Sequence, residues 1–307
     1  MAEYTLKYIN HRARYDAMAF IHECEQQYHE QVLYAAEVIA QNSVHKPIVL
    51  INGPSSSGKT TTNDRLAKAL EAHGIHAEMI SMDDYYRSVG TYEMPPDPEN
   101  GVPDLESPDC MDLPLLSQHL SQLAAGEEIV LPRFDFATHT SIPEARVLRL
   151  DPDEVVLIEG IHSFNPVIMG DLAHTATGIY LSISSTVVPE EGSRLEPYML
   201  RFLRRAMRDS LFRGSPVEET LHQWNSVRRG ERLYIAPYRG QANLTVDTFL
   251  PYELCILMQH LTPQLGRYRK KLAAADLAPL AGVLGQVAPV DYADLLPEDS
   301  VLHEFIG

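Results

Sequence analysis

Gly53-Pro54-Ser55-Ser56-Ser57-Gly58-Lys59-Thr60 is the stretch from which the fold is read. It fits the pattern G-x-x-x-x-G-K-[ST], and both flanks suit it. Ile48-Val49-Leu50-Ile51 is a short apolar run of the kind a buried parallel strand shows. Leu66, Ala67, Ala69 and Leu70 recur at helical spacing up to His73-Gly74, where the glycine can end the helix. A strand, a glycine-rich turn and a helix in this order form an anion site. Glycines let the backbone approach the anion, and successive N–H groups and the helix N-terminus point at phosphate oxygens. Lys59 adds a mobile positive charge, and the Thr60 hydroxyl can ligate magnesium. A turn that binds nothing is the alternative, and it gives no reason for both flanks to fit.

Composition narrows what is done with the phosphate. A chain of 307 residues can bury a substantial core, as one domain with appendages or two domains at most. Its 45% hydrophobic and 22% charged residues are ordinary for a soluble globular enzyme. A net charge of −17 argues against nucleic-acid binding by the whole surface and makes any local basic cluster more noticeable. Cys24, Cys110 and Cys255 are isolated in sequence, which fits a reducing, cytoplasmic setting without a disulfide framework or structural zinc. The first residues lack the apolar core of a signal peptide, and no apolar run approaches membrane-spanning length. The 13 histidines show no H-E-x-x-H spacing.

Along the chain, residues 1–46 are expected to be an N-terminal helical appendage, with a helical stripe from about 16 to 41 through Phe20, Ile21, Cys24, Tyr28, Val32, Ala35, Ala36, Ile39 and Ala40. Residues 47–272 form the expected nucleotide-binding domain, with a lid at about 194–230, and residues 273–307 a tail packed on it. Strands are expected at 75–80, 132–136, 147–150, 155–160, 178–183 and 246–250. Helices are expected after Asp112, from near Glu196, over Pro216–Arg228 and over Tyr252–Lys271. Residues 88–112 read as an acidic loop with Pro95, Pro96, Pro98, Pro103 and Pro108. Strands alternating with helices mean an α/β, three-layer P-loop NTPase fold with a mostly parallel sheet, a helical lid and the N-terminal helical appendage. The N-terminal helix could pack on its own core or on a neighbouring subunit of a homo-oligomer.

Three further groups carry chemistry. Glu159 ends an apolar strand, where P-loop enzymes hold an acidic group for magnesium or its water shell; capping the next helix is the alternative. Asp83 and Asp84 follow the second strand, and ligands of open parallel sheets bind beyond the carboxyl ends of strands. One of these aspartates could take the proton of an acceptor hydroxyl. Arg201, Arg204, Arg205 and Arg208 stand at i, i+3, i+4 and i+7, one face of a helix, with Arg194 before them and Arg213 after. Such stacked cations need an anion. Either they clamp a triphosphate as a lid, or protein carboxylates pair them in a structural helix. Beside the P-loop, the lid is favoured. The acidic loop could be a surface excursion or could offer carboxylates to sugar hydroxyls, and Phe134, Phe136, His139 and Trp224 could flank a base.

These residues carry a family resemblance. Gly53 to Thr60, Ser81-Met82-Asp83-Asp84-Tyr85-Tyr86, Pro132-Arg133-Phe134-Asp135-Phe136 with His139, Glu159-Gly160-Ile161-His162 and Arg201 to Arg213 resemble uridine kinases of the phosphoribulokinase/uridine kinase family. Glu218-Glu219-Thr220-Leu221, Ser226-Val227-Arg228-Arg229-Gly230-Glu231 and Asp299 to Gly307 resemble the kinase half of longer bacterial nucleoside kinases that carry a TGS-type domain, which is not seen in this sequence. The resemblance implies ATP as phosphoryl donor on Gly53, Pro54, Ser55, Ser56, Ser57, Gly58, Lys59, Thr60, Thr61, Arg208 and Arg213, with magnesium at Thr60, Asp83 and Glu159. It implies catalysis by Asp83 as general base with Lys59 and Arg208, and a nucleoside acceptor near Asp84, Tyr86, Glu106, Phe134, His139, Arg205 and Gln223. It implies no nucleic-acid or membrane partner.

Three departures gather on the acceptor side: Glu106 replaces the usual aspartate near the ribose, Phe134 a tyrosine, and Ser215 an arginine after the lid glycine. Asn243 stands where the family usually has aspartate. Phosphoryl transfer is therefore the firmer expectation and uridine or cytidine as acceptor the finer one. A kinase of a non-nucleoside acceptor and an ATP-binding regulator without turnover are the alternatives. A phosphorylated acceptor would need extra basic groups near the acceptor loop, and residues 88–112 have none; no N-K-x-D-type guanine-reading motif occurs.

Overall fold

The computed structural model describes residues 2–97, 101, 103–172 and 174–307, so Pro98 of the acidic loop lies outside the described residues. In chain order the elements are β1 (Glu3–Thr5), α1 (Leu6–Tyr15), α2 (Ala17–Asn42), β2 (Ile48–Asn52), α3 (Lys59–Glu71), β3 (His76–Ser81), α4 (Leu113–Ala124), β4 (Ile129–Asp135), β5 (Thr140–Leu148), β6 (Glu154–Gly160), α5 (Pro166–Leu172), β7 (Ala176–Ser182), β8 (Thr186–Val188), α6 (Pro197–Phe212), α7 (Val217–Gly230), β9 (Leu244–Asp247), α8 (Glu253–Leu265), α9 (Arg269–Ala274), α10 (Ala278–Gly282) and α11 (His303–Ile306).

Five strands form one parallel sheet in the order β3-β6-β2-β7-β9. β2 is buried along its whole length because it is covered on both faces, and its unbroken apolar run Ile48–Ile51 suits that position. After β2 the chain crosses to β3 on one side, and later to β7 on the other. The turn leaving β2 therefore sits at the point where strand order reverses, the crevice in which open α/β sheets bind ligands. β4 and β5 form an antiparallel hairpin, in a sheet of their own, through the turn around His139.

One apolar cluster joins α1 and α2 to α3, α6, α7, α8 and the segment ending at Phe305, and a second lies under α4, α5 and the β4–β5 hairpin. The N-terminal helices are thus part of the core that carries the sheet. Tyr28 of α2 bonds Thr62 of α3 at 2.6 Å, and Arg65 of α3 pairs with the buried Glu25 at 3.0 Å. Asp112 caps α4 by accepting from the Leu115 N–H.

Some boundaries differ from those read in the sequence. β1 carried no expectation, and α1, inside the expected helical appendage, lies before the stripe read from about 16: it is short, and only Leu6, Ile9 and Ala13 of it are buried. β9 ends at Asp247 because Asp247 Oδ1 accepts from the Phe249 N–H and turns the chain. The helix expected over Tyr252–Lys271 is broken by a 3-10 turn at Gly266–Tyr268, which follows Pro263. No helix among the described residues is long and apolar enough to cross a membrane.

Candidate active site

The cleft lies beyond the carboxyl ends of β2, β3 and β6, and the loop after β2 forms its floor. Gly58 turns this loop into α3 at φ +82°, a conformation that side chains disfavour, and a Cβ there would meet Val301 Cγ2 at 2.6 Å. Three side chains, one from the loop itself, hold its carbonyls. Lys59 Nζ donates to Pro54 O (3.2 Å), Arg201 to Ser55 O (3.1 Å) and Thr248 Oγ1 to Ser57 O (2.7 Å). With the carbonyls satisfied, the backbone N–H groups are the part of the loop left for an anion.

Two lobes open from this floor. One, about 240 Å³, is lined by Ser55, Ser56, Lys59, Thr60, Asp83, Glu106, Glu159, Arg208, Arg213 and Glu304. The other, about 580 Å³, is lined by apolar and aromatic side chains including Tyr92, Met94, Leu105, Phe134 and Phe136, with His139 at its edge. Asp83, Tyr86 and Arg213 border both. Tyr86, Phe134 and Phe136 form one aromatic wall, their ring centroids 5.0 to 6.3 Å apart. A flat ring could lie against that wall with its polar end toward Asp83.

Asp83 and Asp84 part company. Asp83 follows β3 in a 3-10 turn, where Ser81 Oγ accepts from its N–H and the side chain enters the cleft. Its carboxyl is open to solvent at the cleft mouth, yet the surrounding walls and the Glu159 carboxylate push it up to about 6, against the pull of Lys59. Asp84 accepts from the Phe134 N–H at 3.3 Å and lines a separate cavity between β3 and the β4–β5 hairpin. It borders neither lobe of the cleft, so the acceptor contact expected of it is not the contact it makes.

The arginine face divides in the same way. Arg204 is fully buried, bonded to Glu253 and to Thr248, and Arg201 is buried against Glu231 at 2.5 Å. These two build the floor of the cleft, which corrects the expectation that the whole face is a phosphate clamp. Arg208 and Arg213 line the smaller lobe and share Asp209 as partner. Arg205 reaches Ser55 Oγ at 2.8 Å and Asp209 at 3.3 Å. It stands on the phosphate loop, although its charge also acts on Glu106. Gln223, expected near the acceptor, lies on the exposed face of α7, bonded to Glu219, and borders neither lobe. Trp224 is fully buried against Phe202, which makes it core.

Among the described residues no group of three His, Cys, Asp or Glu side chains is placed to hold a metal by itself. Thr60, Asp83 and Glu159 nonetheless line one lobe, and Glu159 is among the groups that raise Asp83. A hydroxyl beside two mutually repelling carboxylates fits magnesium, which binds through one or two carboxylates and completes its shell with phosphate oxygens and water.

Two features of the site lie in stretches that carry the family resemblance, but no role was read for them in the sequence. Arg229 is buried and paired with both Asp97 and Asp104 of the acidic loop, and Asp104 Oδ1 accepts from the Glu106 N–H. Glu304, from the last turn of the sequence, enters the smaller lobe. Both are long-range contacts that no local pattern encodes.

The model of the phosphoribulokinase/uridine kinase family matches residues 48–252. The uridine kinase of Borreliella burgdorferi strain ZS7 is 30% identical over 200 residues, covering 65% of this chain and 85% of that protein. The uridine kinase of Staphylococcus epidermidis strain RP62A is 28% identical over 202 residues, covering 65% and 86%. A crystal structure from Silicibacter sp. TM1040, of a protein assigned as a fructose transport system kinase, superposes with a TM-score of 0.51 at 21% identity over 70% of this chain and 98% of that one, a likeness of fold. With the phosphate loop, the sheet order and the acidic strand ends in place, the chain belongs to the phosphoribulokinase/uridine kinase family.

Proposed function

We propose that the protein is an ATP- and magnesium-dependent kinase that phosphorylates a hydroxyl of a small sugar-bearing acceptor, the 5′-hydroxyl of uridine or cytidine being the best candidate. The observation that carries this reading is Asp83, which borders the lobe lined by the phosphate loop and the lobe lined by aromatic rings. A base must touch the acceptor hydroxyl while the donor phosphates lie beside it, and a carboxyl bordering both lobes supports that role for Asp83.

The chain's own residues then have separate tasks. Backbone N–H groups of residues 55–61 cradle the donor phosphates. Lys59, Arg208 and Arg213 hold negative charge as the γ-phosphoryl moves, so the barrier falls through fixed electrostatics and positioning. Asp83 takes the proton of the acceptor hydroxyl; its carboxyl, raised to about 6 without metal, is ionised near neutrality as a base must be. Magnesium, when bound at Thr60, Asp83 and Glu159, supplies positive charge to the phosphate oxygens. Tyr86, Phe134 and His139 would flank the acceptor. The buried free thiols of Cys24, Cys110 and Cys255 accord with a cytoplasmic setting.

Phosphorus NMR of mixtures containing ATP, magnesium and uridine tests the reading. The expected product is uridine 5′-monophosphate, with none from 5′-deoxyuridine. Phosphorylation of sugars or pantothenate in place of every nucleoside would overturn the nucleoside half of the proposal.

A further inference from the structure

Glu304 puts a carboxylate where the chain otherwise prepares a place for phosphate. Its Oε2 accepts from Thr61 Oγ1 at 3.3 Å and from the Thr61 N–H at 3.5 Å, within the first turn of α3. The side chain borders the same lobe as Lys59, Arg208 and Arg213. The position is held from behind. Val301 lies against Gly58, Ser300 bonds the buried Glu25, Arg65 Nε donates to Asp299 O at 2.6 Å, and the Phe305 ring lies under the Arg204 guanidinium at 4.9 Å. Ser300, Val301, Leu302 and Phe305 are fully buried, so this segment is a wall of the site.

The donors at the start of the helix after a phosphate loop are those that meet nucleotide phosphates. Two anions cannot share the Thr61 N–H and hydroxyl. We propose that Glu304 is a donor-site residue: its carboxylate holds the Thr61 end of the loop until a nucleotide phosphate displaces it, and this competition sets the affinity for the nucleotide. The backbone of the segment stays where Val301 and Phe305 fix it, and only the Glu304 side chain swings away. The inference rests on the reading of the phosphate loop as the donor site and is independent of the acceptor.

Calorimetric titration of ADP and of ATP into the wild-type protein, Glu304→Gln and Glu304→Ala tests it. Both variants remove the charge and leave the buried residues intact, and thermal melts without nucleotide check that each is folded. The expected result is a Kd lowered by about three- to tenfold for both nucleotides in both variants, with the gap narrowing as salt rises. An unchanged Kd in folded variants would overturn the role of Glu304 alone, and a raised Kd would do so too by making the carboxylate a ligand for the nucleotide. Absence of binding by the wild-type protein and both variants would instead overturn the reading of the loop, and the inference with it.

Discussion

Glu106 and His162 meet at one backbone bond, and their titrations move in opposite directions. Burial pushes His162 down to about 4, so its ring is neutral in the working range, and its Nε2, 3.1 Å from the Glu106 carbonyl, must be the protonated nitrogen because a carbonyl only accepts. Burial pushes the Glu106 carboxyl up to about 7, helped by Asp104 and Asp83 and opposed by Arg205 and Lys59. The ionised form accepts from vicinal sugar hydroxyls through both oxygens and with its full charge, whereas the protonated form turns one oxygen into a donor. The acceptor KM is therefore expected to fall as pH rises through about 7, at most about tenfold per pH unit, and Glu106→Gln should flatten that profile. Stability has the opposite sign. Between the ordinary glutamate value of 4.5 and about 7 the folded protein binds more protons than the unfolded chain. The contribution of Glu106 is thus fully present below 4.5 and lost as pH rises through about 7. Parallel KM and melting profiles of the wild-type protein and Glu106→Gln check both signs.

At the scale of elements, the junction after α7 ties the two lobes together. Arg228 and Glu231 pair at 2.8 Å, and Glu231 also holds Arg201, whose other end donates to the phosphate loop at Ser55. Arg229 turns to the opposite side and holds Asp97 and Asp104 of the acidic loop, where Tyr234 also donates to Asp104 at 3.0 Å. Gly230 lies against Glu106, and a Cβ there would meet Glu106 Cβ at 2.5 Å. Asp104→Asn is expected to raise the acceptor KM on the order of tenfold because it loosens the loop that carries Glu106; Glu106 also lines the lobe of the phosphate loop, so the ADP Kd measured beside it is expected to shift, but by less than the KM. Arg229→Ala, which takes the shared cation from two buried carboxylates, should cost about 3–5 kcal/mol of stability in urea melts. The sequence shows a run of arginines at helical spacing on α6, but not which of them find partners. Arg204 and Glu253 lie 49 residues apart, so the division of that face into scaffold and site exists only in the folded chain.

At the scale of the molecule, the parallel sheet and the loop after β2 are legible because both are local: an apolar run, a glycine pattern and a helical stripe, all within residues 48–74. The acidic ends of β3 and β6 follow from the same logic, since strands of a parallel sheet open on one side. What local pattern does not reveal is which carboxylate turns inward. Asp83 and Asp84 are adjacent in sequence, and only the approach of β4 gives Asp84 a backbone partner and leaves Asp83 facing the cleft. The entry of Glu304 into the lobe, 243 residues after Thr61, is hidden for the same reason. The central claim, that donor and acceptor lobes meet at Asp83, is tested most directly by Asp83→Asn in a steady-state assay with ATP, magnesium and uridine, beside ADP binding by calorimetry. The expected result is a fall in kcat of about 10²- to 10⁴-fold with ADP affinity in the absence of magnesium held within a few-fold of the wild-type protein. Turnover near that of the wild-type protein in the folded variant would contradict it.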